Sequence, residues 1–260
     1  MPVLTAMAVP RSRSGITSPL PYSSVNGLNM YYEVHGEGPP LLLLHGGAGS
    51  IPEKWIPLFS PQFQVIAMEQ MGHGRTADLS SRPFHYHDMA EDTVELMGLL
   101  EIESAAVVGY SDGGIIALEM AIHHPERVAK LAVTGANFRI DGYTAENMEW
   151  VRSFNPDAEP TSADYARLSP DGVEYWPIFL RRLQEMWRME PNFTDKQLQS
   201  IAKPTLIIVG DDDIVTLEHA IEMFRAIPEA QLCVVPRAGH GTMPKEMVLT
   251  FLEDGDDGGN

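Results

Sequence analysis

Ser111 lies at the centre of Gly109-Tyr-Ser-Asp-Gly113, a G-x-S-x-G pentapeptide with an apolar run before it and a helix-like run after it. A serine on a sharp strand-to-helix turn exposes its Oγ at the top of a sheet, where it can attack a carbonyl carbon. The helix that follows points its first free N–H groups toward the place where an oxyanion would form. Serine is a weak nucleophile at neutral pH, so a base must take its proton and a third group must orient the base. Nine histidines are available, at 35, 45, 73, 85, 87, 123, 124, 219 and 240. Eight have ordinary readings: His35 ends a strand-like run, His45 and His73 lie in glycine-rich turns, and the other five fall in or at the ends of helices. His240 differs, because it stands in Arg237-Ala-Gly-His-Gly241, directly after the strand-like run Gln231–Val235. Loops at the C-terminal ends of strands are where open α/β sheets place their chemistry.

The acid that orients the base should fall between the two in an order Ser…Asp…His. Lys203-Pro-Thr-Leu-Ile-Ile-Val209 reads as an apolar strand and runs straight into Gly210-Asp-Asp-Asp213. Gly210 permits the bend, and the third aspartate is best placed to return toward the strand end. Asp211 and Asp212 suit solvated turn and helix N-terminal positions, and they stay open as alternatives.

These groups need a scaffold, and the punctuation of the chain supplies one. Tyr22–Val25 and Leu28–Val34 flank Asn26-Gly27, a two-residue hairpin signal. Pro40–Leu44, Gln64–Met68, Ala105–Val108, Val128–Val133, Thr205–Val209 and Leu232–Val235 read as further strands, with helices between them such as Tyr86–Leu100 and Gly114–His124. Alternating strands and helices favour right-handed crossovers and a three-layer α/β architecture with a mostly parallel sheet of about eight strands. Residues 138–200 break that rhythm: they are rich in aromatics, including Trp150, Trp176 and Trp187, and hold no strand-like run. They read as a helical insertion between two sheet strands. At least half of its aromatics should pack a small core of their own, and the rest should line a pocket. The domain expectation is therefore a flexible extension over 1–20, a core of 21–137 and 201–252, an inserted lid over 138–200 and an acidic tail over 253–260.

The chain resembles an α/β-hydrolase of the small, lid-bearing serine esterase type. The motifs that carry the likeness are His45-Gly-Gly-Ala-Gly49, Gly72-His-Gly-Arg75, Gly109-Tyr-Ser-Asp-Gly-Gly114, Gly210-Asp-Asp-Asp213 and Gly239-His240, in the family's order over roughly residues 25–252. The stretch Gly109–Asn137 is similar to the valacyclovir hydrolase (biphenyl-hydrolase-like) branch. The resemblance implies a catalytic triad of Ser111, Asp213 and His240, since the family's acid falls three residues after the strand-end glycine. It implies an oxyanion hole made by the backbone N–H groups of Asp112 and Gly47, with Ala48 as the alternative to Gly47. It also places the insertion above Ser111 and suggests a substrate-binding role for the Asp112 side chain and for Trp150, Trp176 and Trp187. The chain departs from the family at Glu69-Gln70, where an aspartate usually opens the loop before Gly72.

Composition agrees with a globular enzyme. Hydrophobic residues make up 44% and charged residues 21%, which is not the composition of a disordered chain. Eighteen basic residues against 36 acidic ones leave a net charge of −18, which argues against binding to nucleic acid or an anionic membrane. The single cysteine, Cys233, excludes a disulfide within the chain. No apolar run approaches the ~18 residues of a membrane span, and a cytoplasmic location is the default expectation. The expected reaction is hydrolysis of small or medium carboxylic esters through an acyl-enzyme, with no cofactor and no metal, by a monomer or homodimer. The same triad can serve a lactonase, thioesterase, C–C bond hydrolase or perhydrolase. A ligand receptor that retains the triad is the non-enzymatic alternative.

Overall fold

The computed structural model describes residues 21–254, so the expected extension over 1–20 and all but the start of the acidic tail lie outside the described residues. Asn26 and Gly27, at φ 47° and 87°, turn β1 (Tyr22–Val25) into β2 (Leu28–His35) as an antiparallel hairpin. The chain continues through β3 (Pro40–Leu44), α1 (Ile56–Phe59), β4 (Gln64–Met68), α2 (Tyr86–Leu99), β5 (Ala105–Tyr110), α3 (Asp112–His123) and β6 (Val128–Thr134). Four helices follow before the next strand: α4 (Ala145–Ser153), α5 (Ala163–Leu168), α6 (Trp176–Met189) and α7 (Asp195–Gln199). The last part comprises β7 (Thr205–Asp212), α8 (Leu217–Ala226), β8 (Ala230–Gly239) and α9 (Lys245–Glu253).

The eight strands form one sheet in the order β1-β2-β4-β3-β5-β6-β7-β8. The pairings of β2 are antiparallel and all the others are parallel. Parallel strands buried on both faces need apolar side chains at every position, and β3 supplies Leu41 to Leu44. Leu42 and Leu44 face one core with α2, α3 and α8, while Leu41 and Leu43 face a second core with α1 and α9. That alternation makes the three layers. The α/β fold with its mostly parallel, helix-flanked sheet is thus the one read from the sequence.

Several strands run past the ends read from the sequence, β2 to His35, β5 to Tyr110, β6 to Thr134 and β7 to Asp212. α3 starts at Asp112, just past the serine as read, and its two glycines serve close packing. A Cβ on Gly113 would stand 2.4 Å from the Leu44 carbonyl oxygen, and one on Gly114 2.7 Å from Ala136 Cβ. β8 runs past Val235 to Gly239, since it is an edge strand and an edge tolerates Pro236. α9 ends at Glu253, the first residue of the expected acidic tail.

Candidate active site

Ser111 adopts φ 52° and ψ −119° between β5 and α3. A non-glycine residue at positive φ costs roughly 1–3 kcal/mol, so the surrounding packing must hold it there. It does: a Cβ on Gly109 would fall 2.3 Å from the Gly113 carbonyl oxygen, so the turn closes only with glycine at that position. The Ser111 carbonyl accepts from the Gly114 and Ile115 amides, which leaves the Asp112 and Gly113 amides at the start of the helix without intrahelical acceptors.

The ends of β7 and β8 bring the other two groups in. His240 Nε2 lies 3.0 Å from Ser111 Oγ, and His240 Nδ1 lies 2.7 Å from Asp213 Oδ1. Asp213 also accepts from the Val215 amide at 3.2 Å and the Gly210 amide at 3.4 Å. Burial works against its charge. The hydrogen bond and charge of His240 and the two amides outweigh that cost and hold the carboxyl below its ordinary value. An ionised Asp213 accepts from Nδ1–H, which leaves Nε2 free to accept from the serine hydroxyl. Of the three adjacent aspartates, Asp213 is the one brought to the imidazole. Asp211 instead accepts from the Ala238 amide at 3.1 Å. Gly135, at φ 60°, was not singled out from the sequence as a site residue. A Cβ there would stand 2.8 Å from the His240 ring, so the ring's position depends on that glycine.

The His45-Gly46-Gly47 loop lies against the serine. A Cβ on Gly46 would come within 3.2 Å of Ser111 Cβ, and one on Gly47 within 2.4 Å of Asp112 Oδ2. His45 holds this loop: its Nδ1–H donates to the Gly46 carbonyl at 2.8 Å and its Nε2 accepts the Gln70 amide at 3.0 Å. Burial lowers its pKa to about 4, so it stays neutral. Glu69, the departure from the family pattern, is buried and binds the Arg75 guanidinium at 2.8 Å and the Ile51 amide at 3.3 Å, tying neighbouring loops together.

Asp112 is buried beside the nucleophile. Its Oδ1 accepts from the Tyr86 hydroxyl and its Oδ2 from the Trp187 indole N–H, both at 2.9 Å. Burial raises its carboxyl pKa, and the two hydrogen bonds and His240 oppose that rise. Tyr86 carries no sequence signal for this role, because it reads simply as a helix start. A cavity of about 190 Å³ opens over Ser111, Asp112 and His240, walled by Tyr143, Trp150, Val151, Trp187 and Ile214. A second, of about 220 Å³, lies on the other side of Gly47 and His240 and is edged by Ser50, Lys54 and Trp55.

Two of the three tryptophans singled out from the sequence, Trp150 and Trp187, line the first cavity. Trp176 does not, which corrects its reading as a substrate contact. It is buried against Tyr165 and Phe179, with ring centroids 4.8 and 5.7 Å away, in the inserted helices' own packing.

Residues 39–170 match the family model for the alpha/beta hydrolase fold. The chain is 30% identical to a putative carbamate hydrolase RutD of Caulobacter sp. (strain K31), over 88% of this chain and 97% of that protein. It is 28% identical to the human serine hydrolase BPHL, over 84% of this chain and 78% of that one. Among solved structures, the meta-cleavage product hydrolase CumD of Pseudomonas fluorescens IP01 superposes with a TM-score of 0.68 at 25% identity, over 88% of this chain and 96% of that one. With a serine, an imidazole and a carboxylate linked at strand ends of the sheet, and with these relatives, the chain belongs to the α/β-hydrolase family and is a hydrolase.

Proposed function

We propose that this hydrolase cleaves carboxylic esters of small or medium acids through an acyl-enzyme on Ser111. The observation that carries the proposal is the unbroken hydrogen-bonded chain Ser111 Oγ–His240–Asp213. His240 Nε2 takes the serine proton as Oγ bonds to the ester carbonyl carbon. The oxyanion then faces the backbone N–H groups of Asp112 and Gly47, each such donor contributing about 3 kcal/mol to the transition state. The imidazolium returns the proton to the departing alkoxide, and the alcohol leaves. Water, deprotonated by the same nitrogen, then attacks the acyl carbon; the acyl–Oγ bond breaks, Oγ takes the proton back from His240, and the carboxylic acid leaves. Residues 138–200 act as a lid, with Trp150, Val151 and Trp187 forming an apolar wall for the acyl group. His240 lines both cavities, so a leaving alcohol in the second has the proton donor beside it.

A narrower reading concerns the acyl group. Asp112 faces the first cavity as a buried carboxylate whose two side-chain partners, Tyr86 and Trp187, are neutral donors. A cationic acyl substituent, such as the α-ammonium of an amino-acid ester, would offset that charge, as in the valacyclovir hydrolase branch that the chain resembles.

A fluorophosphonate probe should label Ser111 covalently, and p-nitrophenyl acetate should turn over many times per enzyme. Absence of labelling would remove Ser111 as nucleophile, and release of a single product equivalent would leave the receptor alternative. Valine and isobutyrate esters of one alcohol test the narrower reading: an amine preference of about ten-fold or more that disappears in Asp112→Asn supports it. Equal rates in the wild type would reject it and leave neutral acyl groups as substrates. A carbamate ester belongs in the same panel, since it presents the same carbonyl to Ser111.

A further inference from the structure

Away from the serine, the packed pair α2 and α3 brings together three side chains that the hydrolytic reaction does not use. Glu119 and His123 sit one turn apart on α3 and share a face, and His87 reaches them from the start of α2. Glu119 Oε2 lies 3.4 Å from His87 Nδ1 and 3.3 Å from His123 Nε2, and the two rings stand 4.9 Å apart at 76°.

Those spacings discriminate between two readings. An imidazole–carboxylate ion pair closes to a short hydrogen bond, as His124, just past the end of α3, and Glu91 of α2 do at 2.6 Å. Glu119 closes on neither ring, and its oxygen stands almost equally far from both nitrogens. Donor atoms around a tetrahedral zinc ion, at bond lengths of about 2.0–2.1 Å, are separated by about 3.3–3.4 Å. Both carboxylate-to-nitrogen distances match that edge length.

One neighbouring feature fits the same reading. A cavity of about 330 Å³, bordered by His87, Glu119, Glu190 and Asn192, adjoins the cluster and gives a fourth ligand room to enter.

We propose that His87, Glu119 and His123 form a binding site for a divalent transition metal of the zinc type, closing α2 onto α3 and keeping a fourth position open to water. The metal bridges the start of α2, where Tyr86 holds Asp112, to the end of the helix that begins beside Ser111. Its consequence is a stiffer link between those two helices, outside the ester chemistry.

The test uses the full chain stripped with chelator. Zinc chloride followed by calorimetry should give one site per chain, and cobalt(II) should give the intense visible bands of tetrahedral coordination. Zinc should raise the melting temperature by several degrees at saturating concentration. His87→Ala with His123→Ala should weaken zinc binding by more than the ~10–100-fold typical of outer-shell changes, while His124→Ala leaves it intact. Both histidines are about half exposed, so the double variant is expected to fold. No zinc uptake by the wild type, an octahedral cobalt spectrum, or undiminished binding by the folded double variant would each overturn the proposal.

Discussion

The two walls of the candidate active site are built by opposite means. Ser111, Asp213 and His240 hang from the ends of β5, β7 and β8, strands that lie close together in one parallel sheet. The facing wall comes from α4 and α6, whose aromatic residues divide between the cavity and a core of their own. On the strand side, backbone geometry dictates residue type: glycine where a Cβ would strike a carbonyl, and a positive φ at Ser111. On the helix side, only hydrophobicity is dictated. At the two ends of α6 the same side chain serves different surroundings, Trp176 the insertion's own packing and Trp187 the cavity.

The comparison is tested most severely at the strand ends. Ser111→Ala and His240→Ala should each lower kcat by up to roughly a million-fold, and the double variant should be little worse than either single one. Additive losses, measured by steady-state ester hydrolysis, would mean that the two groups do not act as one unit. Asp213→Asn should cost on the order of ten-thousand-fold through the wrong imidazole tautomer. Asp211→Asn and Asp212→Asn should stay within a few-fold of wild type; a crippled Asp211→Asn would reassign the acid.

On the helix side the expected losses are of stability or of substrate binding, not of the chemical step. Trp176→Ala should destabilise the fold by about 3–5 kcal/mol, because it empties a packed site, and should leave relative kcat/KM values across an ester panel unchanged. Trp150 is 46% exposed and stacks on Phe154 at 4.6 Å. Trp150→Ala should change KM for bulky acyl groups with little effect on denaturation. If Trp176→Ala altered selectivity instead, the division of the aromatics would need redrawing.

The smallest effect contrasts His240 with a buried imidazole. His219 Nε2 accepts the Phe138 amide at 3.0 Å, and burial lowers its pKa to about 4. The unfolded chain takes up this proton near the ordinary histidine value, about 6.5, while the folded chain resists until about pH 4. Stability from His219 is therefore complete above pH 6.5 and lost as the pH falls toward 4, by roughly 3 kcal/mol. His45 and His73, whose pKa values burial lowers to about 4 and about 3, act in the same direction. Urea denaturation at pH 7 and pH 4.5 should show the loss, and His219→Gln should reduce it. A stability that does not change over that interval would mean these imidazoles are charged in the fold.

Legibility in the sequence followed the same divide. The elbow around Ser111, the aspartate run and Gly239-His240 carry marks that only their backbone settings require, so their meeting point could be read without coordinates. Gly135 leaves a comparable mark, but its meaning depends on which ring packs over it, and that ring is 105 residues away in the chain. Tyr86 and the separate fates of Trp150 and Trp176 left no mark, because hydrophobic helix positions look alike whichever side they face. His87 and His123 read as ordinary helix-end residues and Glu119 left no mark, since α2 and α3 become neighbours only through the sheet.

The hydrogen bond from Trp187 to Asp112 has an optical consequence. Indole emission responds to nearby charge and to water, and this indole donates to a buried carboxylate one residue from the nucleophile while being carried by α6. Displacement of α6 would break that bond and wet the ring. Of the four tryptophans, Trp55 packs 5.6 Å from Tyr110 and Trp176 lies in the insertion's interior, so neither shares that setting, while Trp150, 6.2 Å from Trp187 on the same cavity wall, contributes to the signal. The protein thus carries its own fluorescent gauge of whether the helix over the serine is seated.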